Sequence, residues 1–208
     1  MPRRWMSPSA YYRRILTVYR QAVIPWWLRH RGVTLGRDVR CQGMPIVSLA
    51  PDSRIVVGHR VVMCSDAEET ALGVERPVIL RTLRPGASIV IGDDVGMSGT
   101  VICAATSVEI GSECLIGADV QIVDTDFHPL SPIGRRYSGD PDRIKTARVR
   151  VGRNVFLGAG VRVLKGVTIG DDAVIGAGSV VVKDIPAACI AAGNPARVIR
   201  ALDGEGGQ

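Results

Sequence analysis

Aromatic residues make up only 4% of this 208-residue chain, and there are only two phenylalanines and three histidines. Five cysteines occur, Cys41, Cys64, Cys103, Cys114 and Cys189. Their number is odd, their spacings are wide and no C-x-x-C is present, which argues against a disulfide framework and against a zinc site. Buried thiols in a reducing cytosol are the simpler expectation. No run of about 18 apolar residues exists, so no transmembrane helix is predicted. The basic start is no secretory signal either, because its apolar run is short and is broken by Pro25. Acidic residues are missing before Asp38, while Arg3, Arg4, Arg13, Arg14, Arg20, Arg29 and Arg31 lie there. No recognised nucleic-acid module accompanies that charge, so nucleic-acid binding is not expected.

What is abundant is glycine, 24 residues, with many valines and isoleucines. This composition reads as β-rich with many turns. An internal repeat supplies the reason. Stepping by six from Val151 gives Leu157, Val163, Ile169, Ile175 and Val181, all aliphatic. Gly152, Gly158, Gly170 and Gly176 follow four of them, and small or aliphatic residues fill the fifth place of each hexad. A period of six fits neither an α-helix nor two-residue alternation. It fits a short strand, a turn, and another short strand. Three hexads make one triangular coil of 18 residues, and stacked coils share a continuous core.

The same phase returns upstream at Ile110-Gly111, Ile116-Gly117 and Ile122, and at Ile91-Gly92 with Met97. The register slips between Met97 and Ile110. Coils are expected over 33–64 and 78–190. Two segments break the pattern: an acidic loop at 65–76, and a Pro/Gly-rich loop at 127–147 of the length that usually carries function. Residues 9–23 read as an amphipathic helix ended or kinked by Pro25. The predicted organisation is an N-terminal helical segment over 1–32, a repeat domain over 33–200 and a flexible tail over 201–208.

The stretches IGDDV (91–95), IGSECLIGADVQIVDTDFHP (110–129), the hexads of 151–186 and AAGNPARVIR (191–200) resemble the hexapeptide-repeat acyltransferases. Their closest look is to the sugar O-acetyltransferase branch, which includes maltose, galactoside and exopolysaccharide acetyltransferases. The resemblance implies an all-β, left-handed parallel β-helix. Nearly all parallel crossovers are right-handed, and periodicity alone does not set the hand. It further implies acetyl-CoA as co-substrate, no metal, and a homotrimer with active sites between subunits.

Acyl transfer needs a base, an oxyanion donor and a groove for the thioester arm. An imidazole suits the first task, because its pKa lies near operating pH. His128 stands where the repeat gives way to the long loop, and the resemblance makes it the general base. Asp124 and Asp126 are candidates to orient its ring, with turn capping as the competing role. The backbone amide of Ala159 is the implied oxyanion donor. Gly158, Ala159, Ala177, Lys183, Arg197 and Arg200 are the implied cofactor-binding set. Phe156 stands where the family has Trp, and Val182 where it often has Thr. Arg135, Arg136 and Tyr137 in the long loop are positional candidates for acceptor choice.

The expected activity is transfer of an acetyl group from acetyl-CoA to a hydroxyl of a sugar or saccharide. Alternatives are N-acetylation of an amino sugar, acetylation of another small acceptor such as an antibiotic, a γ-type carbonic anhydrase, and a non-catalytic scaffold. The carbonic anhydrase needs three converging histidines, and the 110–200 half holds one. The N-terminal helix either caps the open end of the coil or makes peripheral membrane contact through residues 9–28. The expected location is cytoplasmic, or membrane-peripheral under the second reading.

Overall fold

The computed structural model describes residues 15–138 and 140–202. The first part of the expected helix (9–14) and the end of the expected tail (203–208) lie outside the described residues. Six coils follow one another along the chain. The first holds β1 (Val33–Leu35), β2 (Arg40–Gln42) and β3 (Ile46–Ser48), and the second β4 (Arg54–Val57), β5 (Val62–Cys64) and β6 (Ile79–Thr82). The third holds β7 (Ser88–Ile91), β8 (Gly96–Ser98) and β9 (Val101–Ala104), and the fourth β10 (Ser107–Ile110), β11 (Leu115–Ile116) and β12 (Gln121–Val123). The fifth holds β13 (Val149–Val151), β14 (Phe156–Leu157) and β15 (Arg162–Val163), and the sixth β16 (Thr168–Ile169), β17 (Val174–Ile175) and β18 (Val180–Val181). β19 (Cys189–Gly193) and β20 (Ala196–Ala201) close the end as an antiparallel hairpin.

Every third strand pairs in parallel, so the coils stack into three sheets. The first sheet runs β1-β4-β7-β10-β13-β16, and the third contains β3-β6-β9-β12-β15-β18. The second runs β2-β5-β8-β11-β14-β17-β19-β20. One aliphatic column from each sheet fills the interior. In the third sheet Val47, Leu80, Ile102, Ile122, Val163 and Val181 lie in register, and all are buried. Burial of each such side chain contributes roughly 1.5–3 kcal/mol.

The corners explain the glycines. At the junction of the first and second sheets, Asp38, Arg60, Asp94, Glu113, Asn154 and Asp172 all have positive φ. Each follows a Gly-x pair, and that Gly faces the next coil too closely for a side chain. A Cβ on Gly111 would lie 2.5 Å from the Gly152 oxygen.

The N-terminal end is capped. Helix α1 (Ile24–His30) buries Ile24 and Leu28 completely in the same core. Pro25 neither ends nor breaks the helical segment. A π-helical turn, Tyr19–Val23, precedes it directly and the helix then runs on to His30. The wider turn accommodates the ring and the missing N–H of the proline. No described helix is long and apolar enough to cross a membrane. All five cysteines are buried and unpaired.

Candidate functional site

The long loop leaves the coil at the corner between the third and first sheets. Its neck is closed by a bridge between Thr125 and Thr146 and by the Ala147 amide donating to the Asp124 carbonyl at 2.9 Å. His128 lies just beyond the neck and is exposed. Its amide donates to the Asp126 carbonyl at 2.7 Å, and its imidazole has no partner among the described residues. The other two histidines are engaged. His59 Nδ1 accepts from the Arg37 amide at 2.8 Å, and the His30 ring stacks on Trp26.

Asp124 does not orient His128. It is fully buried, and its carboxylate accepts from the amides of Ala105 (2.6 Å), Thr106 (2.7 Å) and Ser107 (2.8 Å). Three backbone donors engage both carboxylate oxygens, so the turn-capping role is the observed one. Asp126 instead faces Lys165, Nζ to Oδ1 at 2.7 Å, while its Oδ2 is buried without a partner. Neither acid hydrogen-bonds the imidazole within one chain.

The implied oxyanion donor lies at a different corner. Ala118, Ala159 and Ala177 occupy equivalent turns between the second and third sheets, one coil apart. The Ala159 carbonyl accepts from Gly178, and Gly160 donates to Ala118, but the Ala159 and Ala177 amides have no acceptor among the described residues. Gly158 is buried, and a Cβ there would meet the Ala177 nitrogen at 2.6 Å. Coil stacking accounts for this glycine.

A groove of about 310 Å³ opens at this corner, lined among others by Ala159, Asp119, Gln121 and Arg162. Its outer wall is Leu72, Gly73, Glu75 and Arg76 of the acidic 65–76 loop. The Glu75 amide donates to both Asp119 oxygens, at 3.1 and 3.2 Å. At its other end, Asp66 and Glu69 accept from Arg20 of the N-terminal helix at 3.1 and 2.6 Å. Sequence reading saw an acidic loop here but not a wall; the acids Asp66, Glu68, Glu69 and Glu75 were its only local sign.

The remaining candidates fall on both corners. Lys183 is exposed at the corner of His128. Arg197 is exposed on the closing hairpin, paired in register with Ala192, so it lies beyond Ala177 along the groove side. Arg200 is paired with Ile190 on the second sheet. Arg135, Arg136 and Tyr137 form a 3-10 turn at the loop's tip, with Tyr137 85% exposed. Ala159 and His128 are therefore separated by one edge of the triangle, roughly 15 Å at the usual rise of a strand. Among the described residues no three His, Cys, Asp or Glu side chains converge as a metal site would require.

The model of the bacterial transferase hexapeptide repeat (six repeats) matches residues 148–183. Over that stretch the chain is similar to the bacterial hexapeptide transferases. This hexapeptide-repeat chain is 43% identical over 98 residues to the galactoside O-acetyltransferase of Lactococcus lactis, covering 47% of the chain and 45% of that relative. It thus spans about half the length of the curated relatives it matches. Among solved structures, a variant of the N-acyltransferase AntD from Bacillus cereus with dTDP and coenzyme A superposes at a TM-score of 0.67. That match has 20% identity and covers 86% of this chain and 90% of that one. A galactoside acetyltransferase in complex with coenzyme A gives a TM-score of 0.52 at 24% identity, covering 93% and 80%. At such identities the structural likeness carries the fold, a left-handed β-helix.

Proposed function

We propose that this chain transfers an acetyl group from acetyl-CoA to a hydroxyl of a sugar or saccharide, with His128 as general base. The observation that carries the reading is a pair of unsatisfied groups of complementary chemistry. One is an exposed imidazole with no partner among the described residues. The other is a backbone amide, Ala159, left free in a walled groove. In the reaction His128 takes the proton of the acceptor hydroxyl as its oxygen attacks the thioester carbonyl. The Ala159 N–H donates to the oxyanion that forms. The C–S bond then breaks and the thiolate leaves with the proton held by His128. The similarity to galactoside O-acetyltransferases supports oxygen as the acceptor atom, and the likeness to an N-acyltransferase keeps amino-sugar acylation as the second reading.

The two groups lie at different corners of one coil, so the site needs two copies. A homotrimer, in which the His128 corner of one copy faces the Ala159 corner of the next, meets that need. The exposed Phe127, Leu130, Ile133 and Tyr137 of the long loop fit a surface that a neighbour covers. The free amides run from Ala159 through Ala177 toward Arg197, which suits a thioester arm with its phosphates at the hairpin end; Lys183 of a neighbour and Arg200 extend that basic end. The acceptor then enters from the side of Leu72, Glu75 and Arg76, with Arg135, Arg136 and Tyr137 reaching in from the adjacent copy. Five buried free thiols fit a reducing compartment such as the cytosol.

The test is acetyl-CoA consumption across a panel of sugars and amino sugars. Wild type is expected to turn over a hydroxyl acceptor, and His128→Ala to lose at least about a hundredfold in rate. Turnover that survives the substitution contradicts the base assignment.

A further inference from the structure

The N-terminal helix has a second apolar side that the cap does not use. Its inner side carries Arg20, Ile24 and Leu28, four residues apart, toward the loop and the core. On the other side Ile15, Val18, Tyr19, Val23 and Trp26 share one face at helical spacing, and each is between 40% and 64% exposed. Among the described residues nothing covers this stripe. Exposed Arg29 and His30 border it, with the His30 ring flat against Trp26 at 5.7 Å.

Charge follows the same segment. Residues 1–37 contain eight arginines and no acid, whereas 38–208 contain eighteen basic and twenty acidic residues. The whole positive charge of the chain therefore comes from the segment that bears the unused apolar stripe, and the coil itself is slightly negative. The cap is made by Ile24, Pro25 and Leu28, with Trp27 packed against the core, and uses none of the stripe. An apolar stripe with an indole at its edge and a cationic flank is the composition of a helix that lies in a lipid interface.

We infer that residues 15–30 dock this protein on a membrane surface rich in anionic headgroups, through Ile15, Val18, Tyr19, Val23 and Trp26. The inference is independent of the acyl-transfer reading. It has one consequence for it: Arg20 ties the docked helix to Asp66 and Glu69, so the groove wall formed by the same loop is set relative to the lipid surface. An acceptor saccharide carried on a lipid would then be presented on the open side of that wall.

The test is flotation of the full chain with vesicles of phosphatidylcholine alone and of phosphatidylcholine mixed with phosphatidylglycerol. The wild type is expected to float with the mixed vesicles and to be released by about 0.5 M salt, where screening shortens the reach of charge to a few ångströms. The combined Ile15→Ser, Val18→Ser and Trp26→Ser variant, which alters no buried side chain, should bind at least about tenfold more weakly. Its circular dichroism and its acetyl-CoA turnover on a free acceptor should match wild type. Failure of the wild type to float with anionic vesicles overturns the inference, as does equal binding by the variant. If the variant instead falls to a smaller species while wild type ignores vesicles, the stripe joins copies of this chain, and the inference is equally overturned.

Discussion

At the scale of single residues, the two acids that precede His128 have different fates despite their shared sequence context. Asp124 is a structural anion. Replacing it with Ala strips the acceptor from three backbone amides in a buried turn, and a loss of about 3 kcal/mol or more is expected in denaturant unfolding. His128→Ala removes an exposed, unpartnered ring, so unfolding should shift by less than about 0.5 kcal/mol while turnover falls. The thiols behave alike in kind. Burial pushes Cys41 up to about 12, and raises the other four as well. Above the ordinary thiol range the unfolded chain releases protons that the folded state keeps. Stability therefore falls as pH climbs toward about 12 and is unaffected by these groups at neutral pH. Alkylation of the native protein at neutral pH should be slow at Cys41 and become rapid on unfolding, followed by mass spectrometry.

At the scale of elements, stacking distance decides what a residue is for. Gly158→Ala places a methyl 2.6 Å from the Ala177 nitrogen, and backbone cannot retreat as a side chain can. A destabilisation of about 1–3 kcal/mol is expected in thermal unfolding. The 65–76 wall makes a kinetic prediction. Glu75→Ala or Leu72→Ala should raise KM for the acceptor severalfold and leave KM for acetyl-CoA unchanged; Arg20→Ala, which frees the wall's far end, should do the same more weakly.

This is also the scale at which sequence reading succeeded and failed. The coils of 151–186 were legible because Val151 and its ladder partner Ile169 are 18 residues apart with nothing inserted. Upstream the steps vary: Val33 pairs with Ile55 and Ile91 with Ile110, so a six-residue count drifts although the ladder does not. The helix through Pro25 was hidden because a π-turn absorbs what a proline usually forbids. The groove wall was hidden because Asp119, which holds it, lies 44 residues from Glu75. Turn capping was one of the two roles open to Asp124 in the sequence, but its donors could not be read there, because they belong to the coil before it.

At the scale of the whole molecule, the triangular cross-section separates the two groups on which the proposed reaction rests. It places His128 and Lys183 along one corner, and the free amides of Ala159 and Ala177 along another. No rotation of a side chain spans the edge between them, so the reaction proposed for this chain is a property of an assembly. That claim can be tested without knowing the natural acceptor, once any acceptor supports turnover. His128→Ala disables one corner, and Ala159→Pro removes the N–H at the other while leaving the base in place. Each variant alone is expected to be inactive, and each should fold, as read by circular dichroism. When the two are co-expressed and the mixed oligomers isolated by two different tags, some interfaces join an intact His128 corner to an intact Ala159 corner, and turnover should return to a substantial fraction of the wild-type rate. Mixed oligomers as inactive as either parent would contradict a site shared between copies.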